Sequence, residues 1–264
     1  RESRRLTQQV LTSRLPPKRG SRRLRRARRG WGMRELALFA GYGGGLLASH
    51  LLGWETVCAV EVDPCAITAL LQRQSDKALP VFPIWDDVAT FNGREWKGRV
   101  DVVSGGFPCQ PFSTASRGRR VAINRWPDMR RIIAEVDPSF VFAENVSQAA
   151  IDTAADELES MGYSTKAVAL SAADLGADHI RERYWLLAYT DDQSELLRAV
   201  HAEMGVCSCL CHRVWEAEPW SAGMVDGVAG RMERYKATGN GQVPIVAATA
   251  WRTLCMSIKA REAQ

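Results

Sequence analysis

Short apolar runs recur along this chain, and several of the stretches between them carry apolar residues at helical spacing. The runs Leu36–Phe39, Thr56–Val60, Val81–Ile84, Val100–Val103, Ser139–Val146, Thr165–Leu170 and Tyr184–Ala188 read as strands, mostly too apolar to have a solvent face. Leu46–Leu52, a segment from Pro64 onward, Met129–Val136 and Ala149–Met161 read as helices. This alternation predicts an open α/β sheet covered by helices. It stops between Thr190 and Lys236. A last amphipathic stretch, Ile245–Met256, then reads as a helix returning to the core.

The candidate chemistry falls at the predicted carboxyl ends of the strands, where open α/β sheets place their ligands. After the first strand comes Ala40-Gly-Tyr-Gly-Gly-Gly45, and glycines there let a ligand approach the backbone closely. The second strand ends in Glu61-Val62-Asp63, about 20 residues past the glycines, where a carboxylate can accept from ribose hydroxyls. Glu61 also suits a helix N-terminus, as an acid facing the dipole of the segment from Pro64. Asp87 ends the third run and could accept from an exocyclic amine. The fourth run stops at Ser104-Gly105-Gly106, and Cys109 follows between Pro108 and Gln110, with Pro111 behind it. Two prolines stiffen the loop that holds the thiol, which suggests a nucleophile rather than a small apolar core residue. Thr114–Arg125, with Arg117, Arg119, Arg120 and Arg125, reads as a basic lid after the cysteine. Glu144 ends the fifth run as a candidate acid. Arg181 and Arg183, two apart on an extended segment, share a face and can grip a phosphate or a base carbonyl together.

Composition changes this picture in three places. Hydrophobic residues make up 46% of the 264 and charged ones 25%, an ordinary globular balance. The net charge of +5 hides an asymmetry: residues 1–34 hold 13 Lys/Arg against one acid, Glu2, so the remainder is net acidic. That leader reads as disordered, whether a phosphate-binding arm, a transit segment or an over-extended upstream stretch ahead of Met33. Seven cysteines without regular spacing point to a reducing cytoplasm. The run Cys207-Ser-Cys-Leu-Cys-His212 lacks the usual zinc spacing, and no metal is expected. No apolar run is long enough to span a membrane.

Taken in order, these motifs resemble the DNA (cytosine-5) methyltransferase family, over nearly all of residues 35–257. Phe39-Ala-Gly-Tyr-Gly-Gly looks like the cofactor loop, Glu61-Val-Asp the ribose acid, and Asp87-Val88 the adenine-contacting pair. Pro108-Cys-Gln looks like the nucleophile motif, Glu144-Asn-Val the catalytic acid and Arg181-Glu-Arg183 the arginine pair. Gly239-Asn-Gly-Gln-Val looks like the last cofactor motif.

The resemblance implies a Rossmann-like S-adenosylmethionine-dependent methyltransferase sheet with helices on both faces, plus a small irregular recognition segment. It implies Cys109, Glu144, Arg181 and Arg183 as catalytic residues, with Cys109 adding to C6 of a flipped-out cytosine. The arginines would hold O2 and lower the Cys109 pKa. S-adenosylmethionine would lie on Phe39, Ala40, Gly41, Tyr42, Gly43, Gly44, Glu61, Val62, Asp87, Val88, Asn240 and Gly241. Pro108, Gln110, Ser113, Arg117 and Asn145 would face the substrate.

The implied organisation is a leader (1–32), a catalytic domain (33–189), a reduced recognition segment (190–236) and a returning loop and helix (237–264). The partner would be double-stranded DNA, bound by a cytoplasmic monomer of phage or bacterial type that acts alone or beside a restriction endonuclease. Gly45 stands where the family usually has a bulky apolar residue, and His179 where glutamine is common. The short recognition segment implies short or relaxed specificity. An RNA (tRNA) cytosine-5 methyltransferase would keep every motif, whereas a non-catalytic DNA-binding homologue would be expected to lose the cysteine or the glutamate.

Overall fold

The structure, a computed structural model, describes residues 32–109, 124–190 and 241–258. Seven strands, β1 (Arg34–Leu38), β2 (Glu55–Val60), β3 (Ile84–Trp85), β4 (Val102–Gly106), β5 (Phe140–Asn145), β6 (Ser164–Ser171) and β7 (Glu182–Tyr189), form one sheet. Five described helices cover it: α1 (Gly44–Leu51), α2 (Pro64–Ser75), α3 (Trp126–Val136), α4 (Gln148–Ser160) and α5 (Pro244–Ser257). The strand order is β3-β2-β1-β4-β5-β7-β6. β1 to β5 run parallel, and β7 is antiparallel to both of its neighbours. The reason lies in the links. β6 reaches β7 through a single 3-10 turn, Ala173–Leu175, which is too short for the crossover that a parallel partner needs.

Local chemistry sets the helix starts. Asp63 caps α2 by accepting from Cys65 N at 2.9 Å, with Pro64 in the first turn. The α3 start lies at Trp126-Pro127-Asp128, three residues earlier than the apolar spacing alone suggests. Met129, Ile132, Ile133 and Val136 then line its buried face.

Strand residues alternate between two cores. Val141 and Ala143 of β5 pack with α3 and α4, while Phe140 and Phe142 pack with α1 and α5 on the other face. The central polar residue is Glu35, 1% exposed, whose carboxylate accepts from Ser49, Thr56 and Ser104 hydroxyls. Burial pushes its carboxyl up, and the three hydroxyls pull against that.

Two predicted strands differ. Val81 is 82% exposed, and only Ile84–Trp85 pairs, as an edge strand, because Pro80 and Pro83 have no N–H to give to a ladder. The fourth strand does not stop at Ser104 but runs through Gly106, pairing Gly105 with Leu38 and Ala143, and Gly106 with Glu144. A Cβ at Gly105 would lie 2.6 Å from Leu38 O, so this glycine allows close strand contact rather than ending the strand.

Candidate active site

Four loops meet at the carboxyl edge of β1, β2, β4 and β5. The chain leaves β1 through Phe39 and Gly41, both left-handed, with φ of 54° and 52°. Gly43, also left-handed at φ 86°, starts α1, whose first turn has no side-chain cap. Glu61 fixes this loop: Oε2 accepts from Gly41 N at 2.6 Å, and Oε1 accepts from Val62 N and Asp63 N. The cap of α2 is therefore Asp63, and Glu61 is instead a strut between two strand ends, with about one acceptor site to spare, on Oε2.

A cleft opens here, lined by Phe39, Gly41, Gly44, Gly105, Glu144 and Gln242 among others. The Cβ direction at Gly41 is open space, as a backbone that cradles a ligand requires. Asp87 ends β3 in a turn, its Oδ1 accepting from Ala89 N, while the Val88 side chain is buried in the core. These residues fit an adenosyl group: a glycine bed, a carboxylate one strand over and a second acid beyond it.

Cys109 is partly buried, and its Sγ lies 2.7 Å from Asn145 Oδ1. Asn145 also donates from Nδ2 to Phe107 O and accepts from Ser147 N, so one amide locks the thiol loop to the end of β5. Cys109 forms an antiparallel bridge with Asn124, and Arg125 N donates to the exposed Pro108 at its carbonyl. Burial pushes the thiol above its ordinary value, Asn145 pulls it down, and the Glu144 charge pushes it further up. This corrects the expectation that the arginines would lower it, because the guanidinium nearest the site is taken up by Glu144.

Glu144 is buried, and its Oε1 lies 3.2 Å from Arg183 Nε. Arg181, on the same side, donates to Gly241 O. Desolvation raises the Glu144 pKa, against a hydrogen bond from Gln242 and the charges of Arg183 and Arg181. Cys109, Glu144, Arg181 and Arg183 thus lie near one another at this edge of the sheet. Gln110, Ser113, Arg117 and Asn240 lie outside the described residues, as do Cys207 to His212 and nearly all of 190–236.

Gln242, absent from the sequence-based site, lies within it. Its signal was the pair of glycines around which it packs: a Cβ at Gly45 would lie 2.5 Å from Gln242 Oε1, and one at Gly44 would meet the Gln242 carbonyl.

The sheet order and the site at its carboxyl edge define a Rossmann-like methyltransferase. The C-5 cytosine-specific DNA methylase family model matches residues 33–205, and the chain belongs to that family. It is 31% identical over 181 residues to type II methyltransferase M.CviJI of Paramecium bursaria Chlorella virus IL3A, covering 64% of this chain and 47% of that protein. It is 29% identical to M.HhaI of Haemophilus parahaemolyticus, covering 61% of this chain and 50% of that protein. The chain thus spans about half the length of the curated relatives it matches. A mutant of Spodoptera frugiperda DNMT2 shares the fold, with a TM-score of 0.50 at 21% identity, over 61% of this chain and 51% of that one.

Two expected results follow from this geometry. Glu61→Ala weakens S-adenosylmethionine binding by about 1.5–3 kcal/mol, the range for hydrogen bonds to a charged group, as calorimetry would measure. Unchanged affinity would leave Glu61 as a strut alone. Because the thiol titrates above its usual range, turnover should climb with pH across neutrality, by about tenfold per unit while the thiolate is scarce. A flat rate profile over that interval would mean that thiolate formation does not limit the reaction.

Proposed function

We propose that this chain is a DNA (cytosine-5)-methyltransferase that acts on a flipped-out cytosine through a covalent bond from Cys109 to C6. The observation that carries the reading is the union of thiol and acid at one sheet edge. Cys109 is held by Asn145, and the adjacent residue, Glu144, is ion-paired to Arg183 at 3.2 Å.

The target atom is out of reach in a stacked duplex, so the base must leave the helix. Cys109 thiolate adds to C6, forming the S–C6 bond and making C5 nucleophilic. Glu144 hydrogen-bonds N3 and the exocyclic amine as charge develops there, and Arg183 and Arg181 face O2 and the flanking phosphate. S-adenosylmethionine would be held by residues 39–44, Glu61, Asp87 and residues 240–241, and would supply an electrophilic methyl group. Once C5 is alkylated, loss of its proton to a base expels the thiolate, and the C5–C6 double bond forms again. In this reading the enzyme is a cytoplasmic monomer, the leader stands outside the catalytic unit, and residues 190–236 read the DNA.

The direct test is transfer of radiolabelled methyl to duplex DNA and to tRNA. Label at C5 of duplex cytosine is expected. Transfer to tRNA alone would select the RNA activity, and none to either would overturn the reading.

Specificity follows from the length of the recognition segment. Its base-reading candidates are Arg198, His201, His212, Arg213, Arg231 and Arg234, all outside the described residues. A bidentate arginine–guanine contact gives about 1–3 kcal/mol of discrimination, so the word read is on the order of two to four base pairs. Bisulfite sequencing of DNA from expressing cells should return a short or degenerate consensus. A strict six-base site would mean that the 114–125 loop or a partner chain reads the rest.

A further inference from the structure

The acid of this site is held from two directions. Arg183 Nε lies 3.2 Å from Glu144 Oε1, and Gln242 Nε2 donates to Glu144 Oε2 at 3.2 Å. Gln242 precedes α5 and arrives from the far end of the chain, yet its backbone is pinned. Arg181 Nη2 donates to Gly241 O on one side, and Gly44 lies against the Gln242 carbonyl on the other. Two further glycines make room for the amide and the carboxylate. A Cβ at Gly45 would lie 2.5 Å from Gln242 Oε1, while one at Gly106 would meet Glu144 Oε2 and lie 3.1 Å from Gln242 Nε2.

We propose that Gln242 is a positioning residue for Glu144, and that Gly45 is small because the Gln242 amide must fit there, while Gly106 leaves room for the carboxylate that this amide holds. The proposal rests on the methyltransferase reading of Glu144. Each carboxylate oxygen has two acceptor sites. One donor per oxygen, Arg183 on one and Gln242 on the other, fixes the plane of the carboxyl group and leaves one oxygen to accept from the exocyclic amine and the other to share a proton with N3. Arg183 alone would leave the group free to rotate about its last bond.

Among the described residues, the groups facing Glu144 are Arg183 and Arg181 from the β7 side, Cys109 from the loop after β4, and the neutral amide of Gln242. Gln242 is a donor to the ionised form, so its removal raises the Glu144 pKa further. The missing bulk at position 45 follows from the same contact: a side chain there would take the space of the amide.

The test compares Gln242→Met, which keeps the length and loses the donor, with Gly45→Ala, which keeps Gln242 and displaces it. Carbon-13 carboxyl NMR follows Glu144 titration in both, and methyl transfer to duplex DNA gives kcat and KM. Both variants should raise the titration midpoint and lower kcat by roughly tenfold or more, with KM for DNA much less affected. The double variant should be no worse than Gln242→Met, because both changes break one contact. An unmoved midpoint and an unchanged kcat in Gln242→Met would overturn the proposal, as would additive losses that track the melting temperature. A wild-type chain that methylates neither DNA nor tRNA would remove the methyltransferase reading. The NMR comparison would still decide whether Gln242 governs Glu144.

Discussion

Cys109→Ser abolishes methyl transfer, with a loss on the order of 10⁴-fold or more, and leaves cofactor affinity nearly unchanged. The thiol sits on the β4–β5 side of the edge, held by Asn145 and by the bridge to Asn124. The glycine bed and Glu61 lie across β1 and β2. A serine hydroxyl keeps the volume but ionises far less readily than a thiol, so no nucleophile forms. DNA containing 5-fluorocytosine should trap the wild type as a covalent adduct, because fluorine cannot leave as a proton does, and should not trap the variant. Turnover within about tenfold of wild type would take the nucleophile role away from Cys109.

Trp251→Ala should cost about 3–5 kcal/mol of stability, read from the denaturant midpoint. Trp251 is fully buried and packs edge-on to three rings, Trp54 at 4.7 Å, Phe142 at 5.4 Å and Phe140 at 6.0 Å. Its indole N–H has no partner among the described residues, so the loss is one of packing, with no hydrogen bond removed. A cost under about 1 kcal/mol would show that the neighbouring rings close the cavity. The same helix carries Gln242 ahead of its first turn, so the variant should lose activity before it loses the sheet.

The central strands and their chemistry were legible because burial on both faces leaves an almost unbroken apolar run, as in Phe140–Ala143, and because each run ends in the residue that matters. What the sequence hid has local causes. Gly105 looks like a strand's end but lies inside β4, since only the neighbouring β1 backbone reveals the need for a missing side chain. Val81 is apolar enough for a strand, yet two prolines keep it out of the ladder. The thiol's raised pKa could not be read either, because Arg183 is placed by sequence near Cys109 and by geometry on Glu144. Gln242 stood in the sequence only as part of the last cofactor motif, with nothing to tie its amide to Glu144. Its meaning comes from three glycines far away in the chain.

The long span between Glu144 and Gln242 also sets when the site is complete. A ribosome finishes the sheet strands, the thiol loop and the arginine pair well before it delivers α5. Until that helix docks, Trp54 and Phe142 lack the indole that covers them, and Glu144 lacks its second donor. A chain still being made therefore carries the Cys109 thiol and the Glu144 carboxylate before the amide of Gln242 can reach that carboxylate.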